Sequence, residues 1–473
     1  MLRFFRINVP DRIIVLFLLL LAIRLPLFIT GTPHFAPELQ WLLIGEKLSK
    51  GFLMYKDVWD NTAPFSAFLY MLLNYIAGKS VLALQILAFV VLFVQALLFN
   101  EMGVRQELYT ERTFVPALVY GIGASFFYDC LSLSPMLLGI TFLLLALSKI
   151  FRHIRYGIRE DEIFLIGFYI GIAALFKLSL TVFVLFPMVV FLLYSGTSPR
   201  LYALLLLGFF ITFAATFLIF LGFGAGSDFY YNYLATLFAS YRSLLVGWRE
   251  ILPIAAVPLI FGTIALFKVV SSNKFINYQI VSQVAMIFWV VFSVIALWLD
   301  TGRSPFLYLI FLPALAFLLT HFFLLFKKKW QAELAFLVWS AATVFMLYIP
   351  TYKLFEAETW LPLRSFEVGE TLPAQANQNK NILVLGYAPE YYVGNSLATP
   401  YLNYELSRRD LHDLEHYSSV LRVYNNFRKE LPDIIVKAPQ DPTLDLLFAR
   451  MPVLAKQYQQ TPADTNVYQR ITQ

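Results

Sequence analysis

Apolar stretches of about 20 residues recur along the first 350 positions, near 11–30, 81–99, 113–128, 132–151, 162–177, 179–196, 201–223, 251–269, 278–299, 304–326 and 331–350. Each approaches the length a helix needs to cross roughly 30 Å of hydrocarbon. No soluble core accommodates so many. Hydrophobic residues make up 59% of the chain and charged residues 14%, with a mean hydropathy of +0.68. A soluble domain carries about 25% charge. One soluble globular core and disorder are both excluded. The expected architecture is a multi-pass α-helical membrane protein of about eleven transmembrane helices.

Charge divides the chain into two parts. Residues 1–350 hold 24 Lys and Arg against 16 Asp and Glu, whereas residues 351–473 hold 12 against 14. The domains expected are therefore a membrane part, 1–350, and a water-soluble tail, 351–473. The basic excess belongs to the membrane part, where cytoplasmic loops need it, and does not point to nucleic acid. With the N-terminus inside, the inner segments carry Arg3, Arg6 and Arg12; Arg105 and Arg112; Arg152, Arg155 and Arg159; Arg200; Lys268 and Lys274; and Lys327 to Lys329. Eleven spans then put the tail outside, across a bacterial plasma membrane. Arg3 and Arg6 before the run Ile13 to Ile23 resemble a signal peptide, but no small-x-small cleavage site follows, so a retained span is expected.

Three long connections fall on the outer face: 31–80, 224–250 and the tail. The tail reads as a small α/β unit. Ile382 to Gly386 and Asp433 to Val436 are expected strands, with a polar helix from about Tyr404 to Lys429 between them and weaker strands near 453–459 and 466–471. Gly386-Tyr387-Ala388-Pro389 after the first strand is not a dinucleotide fingerprint. The single cysteine, Cys130, excludes an internal disulfide and a Cys-based metal centre. His412 and His416, four apart in a polar helix, read as a solvated face.

The first outer connection holds the densest chemistry. Pro37 pre-sets the backbone so that Glu38 falls in the first turn of an amphipathic helix, where a carboxylate is favoured. Gly51 ends that helix. Tyr55-Lys56-Asp57-Val58-Trp59-Asp60-Asn61-Thr62-Ala63-Pro64 follows and opens another. Three carboxylates, Glu38, Asp57 and Asp60, thus lie between two spans. Each also has a plain reading, Glu38 as a helix-start residue and Asp60-Asn61 as a turn. The aromatics of 224–250, Phe229, Tyr230, Tyr231, Tyr233 and Tyr241, read first as an interfacial belt and second as a sugar or lipid platform.

Arg24 near the end of the first span, then Glu38, Gly51, Tyr55, Asp57 and Thr62-Ala63-Pro64, resemble the first external loop of the GT-C superfamily of membrane glycosyltransferases. Thr301-Gly302-Arg303-Ser304-Pro305-Phe306-Leu307-Tyr308 with Pro313 is similar to a Gly-Arg segment that opens a late span in those proteins. The Lys of the family's Lys-Pro-Pro turn is absent, the acidic pair is reduced to Glu38, and Leu307 stands at a His position. The layout matches over most of the chain, the motifs over about 50 residues.

The resemblance implies transfer of a sugar from a polyprenyl-phosphate donor to a glycan, lipid or protein acceptor outside the cytoplasm. Such transfer needs a carboxylate to take the acceptor's proton, and Glu38 is the expected base. Asp57 or Asp60 would orient the acceptor or, as in metal-dependent relatives, hold a divalent metal ion through oxygen. Asp129 is a further candidate. The leaving phosphate needs cations; the outer-facing ones are Arg303, Lys177, Arg242, Arg249 and Lys56. Arg303 leads because a guanidinium grips phosphate bidentately. Lys177 and Arg24 could instead snorkel to the interface. Two other functions remain open: a transporter or flippase of a lipid-linked substrate, and a non-catalytic assembly subunit of the same fold. The spans are nearly free of acids and show no internal repeat, which disfavours a transporter.

Overall fold

The computed structural model describes residues 1–157, 159–196, 198–239, 243–244, 248–356, 367–368, 379–398, 400–437, 442–462 and 464–471. By contacts the chain forms two compact units. One comprises Met1–Pro33, Val81–Thr216 and Arg242–Ser365; the other comprises His34–Ser80, Phe217–Tyr241 and Phe366–Gln473.

The first unit is helical. Among the described residues eight helices are long and apolar enough to cross a membrane: Asp11–Thr30, Val81–Arg105, Pro135–Tyr156, Pro199–Gly222, Ile251–Val270, Asn277–Leu299, Pro305–Leu324 and Lys329–Thr351. The other three expected spans are helical but short or broken. Val115–Gly123 stops after nine residues, and a 3-10 turn, Tyr128–Leu131, follows. Glu160–Phe176 has 17 residues and ends where Lys177 turns extended (φ −150°, ψ 113°). Beyond it the 3-10 segment Leu178–Val184 leads into Leu185–Tyr194. Hydropathy reads apolar content and is blind to these interruptions.

Small residues set the closest approach within this unit. A Cβ on Gly167 would lie 1.9 Å from the Leu205 carbonyl oxygen, and one on Gly208 would lie 2.2 Å from that of Phe164. Gly171, four residues beyond Gly167, would put a Cβ 2.2 Å from Thr212 Oγ1. Glu160–Phe176 and Pro199–Gly222 therefore pack backbone to backbone. Small residues spaced by four permit this where the water-driven hydrophobic term is lost in lipid. The hydroxyls on that seam bond within their own helix, Thr212 to the Phe209 carbonyl at 2.7 Å and Thr216 to that of Thr212 at 2.9 Å.

The second unit joins the first connection to an α/β layer. The amphipathic helix Ala36–Ser49 packs on Pro64–Ala77, with Trp41 stacked on Tyr70 at 5.6 Å and Gly45 against the Tyr70 carbonyl. Gly51, at φ +89°, follows the first helix, a conformation that costs glycine nothing sterically. The tail's sheet runs in the order Ser396–Leu397, Asn381–Leu385, Ile434–Lys437, Asp464–Arg470, Tyr458–Thr461. The first three strands are parallel and the last two join antiparallel. The expected polar helix is two, Tyr404–Leu411, capped by the Asn403 side chain, and Tyr417–Lys429. Leu383, Leu385, Leu411, Val423, Phe427 and Ile435 form the core, and Trp59 of the first connection belongs to it, 4% exposed. Trp59 is tied in through its backbone as well: its N–H donates to the Pro400 carbonyl at 2.6 Å, and its own carbonyl accepts from Asn403 N–H at 2.9 Å.

Candidate functional site

The candidate residues fall in both units. In the second, Phe35 is extended (φ −124°, ψ 150°) and Pro37 lies at the start of the helix. Glu38 thereby enters the first turn, its N–H donating to the Phe35 carbonyl at 3.1 Å. Its side chain is buried, 1% exposed, and close enough to the Tyr70 hydroxyl to act on it electrostatically.

Tyr55 is the anchor of the loop that follows. Its φ of +69° is rare for a bulky residue. Its N–H donates to the Val58 carbonyl at 2.9 Å, its hydroxyl donates to the Thr62 carbonyl at 2.7 Å, and its carbonyl accepts from Asn232 at 2.8 Å. Phe229 and Tyr233 pack on its ring at 5.5 and 5.7 Å. These two expected belt aromatics are thus core residues, whereas Tyr230 and Tyr231 are exposed. Tyr241 lies outside the described residues. Burial holds the Tyr55 and Tyr233 hydroxyls well above the usual phenol range.

Asp57 and Asp60 build this loop. Asp57 accepts from Leu53 N–H at 2.9 Å and pairs with Lys429 at 3.3 Å. Asp60, fully buried, accepts from Thr62 N–H at 2.7 Å and from the Gln40 amide. Among the described residues no three His, Cys, Asp or Glu side chains converge on a site for a divalent ion. His412 bonds Tyr404 and His416 bonds Asp413, each on its own. Lys56 is exposed and lines an open cleft with Trp59 and Asp228.

In the first unit two aspartates arrange the segment around Arg303. Asp129, in the 3-10 turn Tyr128–Leu131, accepts from Phe306 N–H at 2.8 Å and from the Cys130 thiol at 3.4 Å. Burial pushes its carboxyl up to about 7. Asp300, 3% exposed, accepts from Gly302 N–H at 3.1 Å and Ser179 Oγ at 3.0 Å and pairs with Lys177 Nζ at 3.0 Å. The backbone of Gly302–Arg303 runs parallel to Ser243–Leu244. The Arg303 side chain and the whole of Arg242 lie outside the described residues; Arg249 is exposed.

Asp300 was not singled out from the sequence. Its signal is an acid closing an apolar span directly before Thr-Gly-Arg, in a position to bond the turn. Lys177 does not snorkel alone, since Asp300 holds it. Arg24 does not snorkel either: it is 1% exposed, and its guanidinium nitrogens have no hydrogen-bond partner among the described residues. Cys130 lies within its electrostatic reach.

No protein-family model and no curated protein sequence matches the chain. Solved structures do. The crystal structure of ArnT from Cupriavidus metallidurans bound to undecaprenyl phosphate aligns at a TM-score of 0.53 and 11% identity, over 97% of this chain and 96% of that one. ArnT in the apo state aligns at 0.53 and 12% identity, over 92% and 94%. The archaeal oligosaccharyltransferase AglB from Archaeoglobus fulgidus, in complex with an inhibitory peptide and a dolichol-phosphate, aligns at 0.45 and 12% identity, over 98% and 74%. The two ArnT alignments show a shared fold: a multi-pass helical membrane part followed by a small C-terminal α/β layer.

Proposed function

We propose that the protein is a membrane glycosyltransferase that moves a sugar from a polyprenyl-phosphate donor to an acceptor on the outer face of a plasma membrane. The observation that carries this reading is its fold, shared over nearly the full length of a protein crystallised on undecaprenyl phosphate. Glu38 supports it: the motif's acidic position is occupied by a buried carboxylate, held beside a tyrosine.

In this mechanism Glu38 takes the proton of the acceptor hydroxyl as its oxygen attacks C1 of the donor sugar. The bond from C1 to the phosphate oxygen breaks, and its electron pair leaves with the polyprenyl phosphate. Lys177 and Arg303 are the cations assigned to the phosphate, whose charge grows in the transition state. Asp300 is a positioning residue that fixes Lys177 and the turn into Gly302–Arg303. Asp129 positions the residues that follow through Phe306 N–H. Asp57 and Asp60 act through the loop they build rather than on the reacting atoms.

The test is Glu38→Gln in the full chain, assayed with a polyprenyl-phosphate sugar. Loss of a positioned base costs about 10²–10⁴ in rate, so donor binding should persist while transfer falls by that factor. Wild-type turnover would make Glu38 a helix-start residue and end the mechanism. The side of the membrane is tested by reporter fusions: those after Ser198 and Lys329 should read as cytoplasmic and one after Gln473 as external.

A further inference from the structure

The second unit contains an open cleft of about 580 Å³, within the range of about 300–1,000 Å³ typical of small-ligand sites. Lys56, Asp228 and the end of the Tyr417–Lys429 helix form its walls, brought from three separate stretches of chain.

Its charges do not cancel. Arg422 is committed to Asp410 at 2.9 Å, and Lys429 to Asp57 at 3.3 Å. Lys56 and Arg428 have no ion-pair partner among the described residues, and both are exposed. Against them the cleft holds one carboxylate, Asp228. Arg409 adds a further cation close by, its guanidinium 4.5 Å above the Trp59 ring.

The rest of the lining narrows the ligand. Asn425 is exposed, and Asn426 donates its amide to the Tyr401 hydroxyl at 2.9 Å, which leaves its side-chain oxygen as an acceptor. Paired amides suit a ligand rich in hydroxyls. Trp59 is 4% exposed and covered by Arg409, so it offers no open face on which a nucleobase could stack. A concave wall lined by two exposed cations suits a bounded solute better than a flat lipid surface.

We infer that this cleft binds an acidic saccharide, one bearing carboxylate or phosphate, through Lys56 and Arg428. Its identity as the acceptor rests on the transfer reading above; its binding does not.

The experiment uses the full chain in nanodiscs of neutral lipid, with no donor present. Four probes are titrated by calorimetry: tetragalacturonate, glucose 6-phosphate, neutral maltotetraose and a short-chain phosphatidylglycerol. Tetragalacturonate, glucose 6-phosphate or both should bind, more weakly as salt rises, and the neutral sugar should not. Lys56→Ala and Arg428→Ala, both at exposed positions, should each weaken binding about tenfold, the scale of one charge-assisted hydrogen bond. A carboxylate or phosphate preference identifies the anion. The proposal is overturned if neither acidic sugar binds, if maltotetraose binds as well as they do, if both variants bind like wild type, or if phosphatidylglycerol alone binds. Because no donor is involved, such a result counts against the cleft and leaves the transfer mechanism to Glu38→Gln.

Discussion

The two compact units differ in how much of their joining is left to charge. Among the described residues of the helical unit three acids are buried; Glu162 pairs with Lys149 and Arg152, and the other two organise backbone. Asp129 holds Phe306 N–H, and Asp300 holds Gly302 N–H together with Lys177 and Ser179. The second unit ties separate elements together by ion pairs: Lys47 with Glu430 at 2.5 Å, Glu46 with Lys79, Asp57 with Lys429, and Asp410 with Arg422. Its elements come from segments that long helical stretches separate, so side chains rather than local sequence must join them. One unit is specified by shape and the other by charge, and they should fail under different insults.

The largest effect should come from volume. Gly167→Leu forces a side chain into the Leu205 carbonyl, where the backbone has no room to give. Overpacking costs about 1–3 kcal/mol and more where backbone blocks it. The variant should lose its monodisperse peak in detergent, whereas Gly222→Leu, with open space around a helical backbone, should keep it. If both behave alike, close packing does not specify the helical unit.

Lys47→Ala should come next. Its side chain is 2% exposed and its partner's is 20%. Breaking a buried pair costs about 3–5 kcal/mol, less where one partner reaches water. Hydrogen exchange should rise at Glu430 and along Tyr417–Lys429. Protection unchanged there would show that apolar packing, not this pair, holds the connection to the tail.

Asp129→Ala should cost about 1–3 kcal/mol by leaving Phe306 N–H without its acceptor, and Asp129→Asn should restore most of that. The sign of the pH effect follows from the raised carboxyl. Protonation favours the folded form, so its contribution is full below about 4 and is lost as pH rises through about 7. The Asn variant should lack that slope in thermal unfolding; a slope equal to wild type would assign it to another group.

Lys429→Ala should matter least. The lysine is 60% exposed, and surface pairs contribute about 0–1 kcal/mol. Adding salt to the wild type should reproduce its effect. A loss larger than that of Lys47→Ala would invert the ranking of burial over exposure.

Hydropathy made the helical unit legible, because span length and lipid thickness are the same measurement. It could not expose the break at Lys177, whose flanks are as apolar as any span. Glu38 was legible because its cue is local, a proline and a first turn. The loop-building partners of Asp57 and Asp60 were out of view in the sequence: Lys429 is 372 positions from Asp57, and Gln40 is 20 from Asp60. The tail's parallel pairing was readable from strand, helix and strand, but nothing local indicated that Trp59 would complete its core.

The pair between Lys47 and Glu430 has a consequence in time. The two residues are 383 positions apart in the chain. At about 5–20 residues per second, the ribosome takes roughly 20–80 s to make the partner. For that interval Lys47 has no carboxylate from the tail, and Trp59 has no sheet to bury it. The first connection is thus made early and completed last, and a factor that shields it in the meantime would govern how much of the chain reaches its final form.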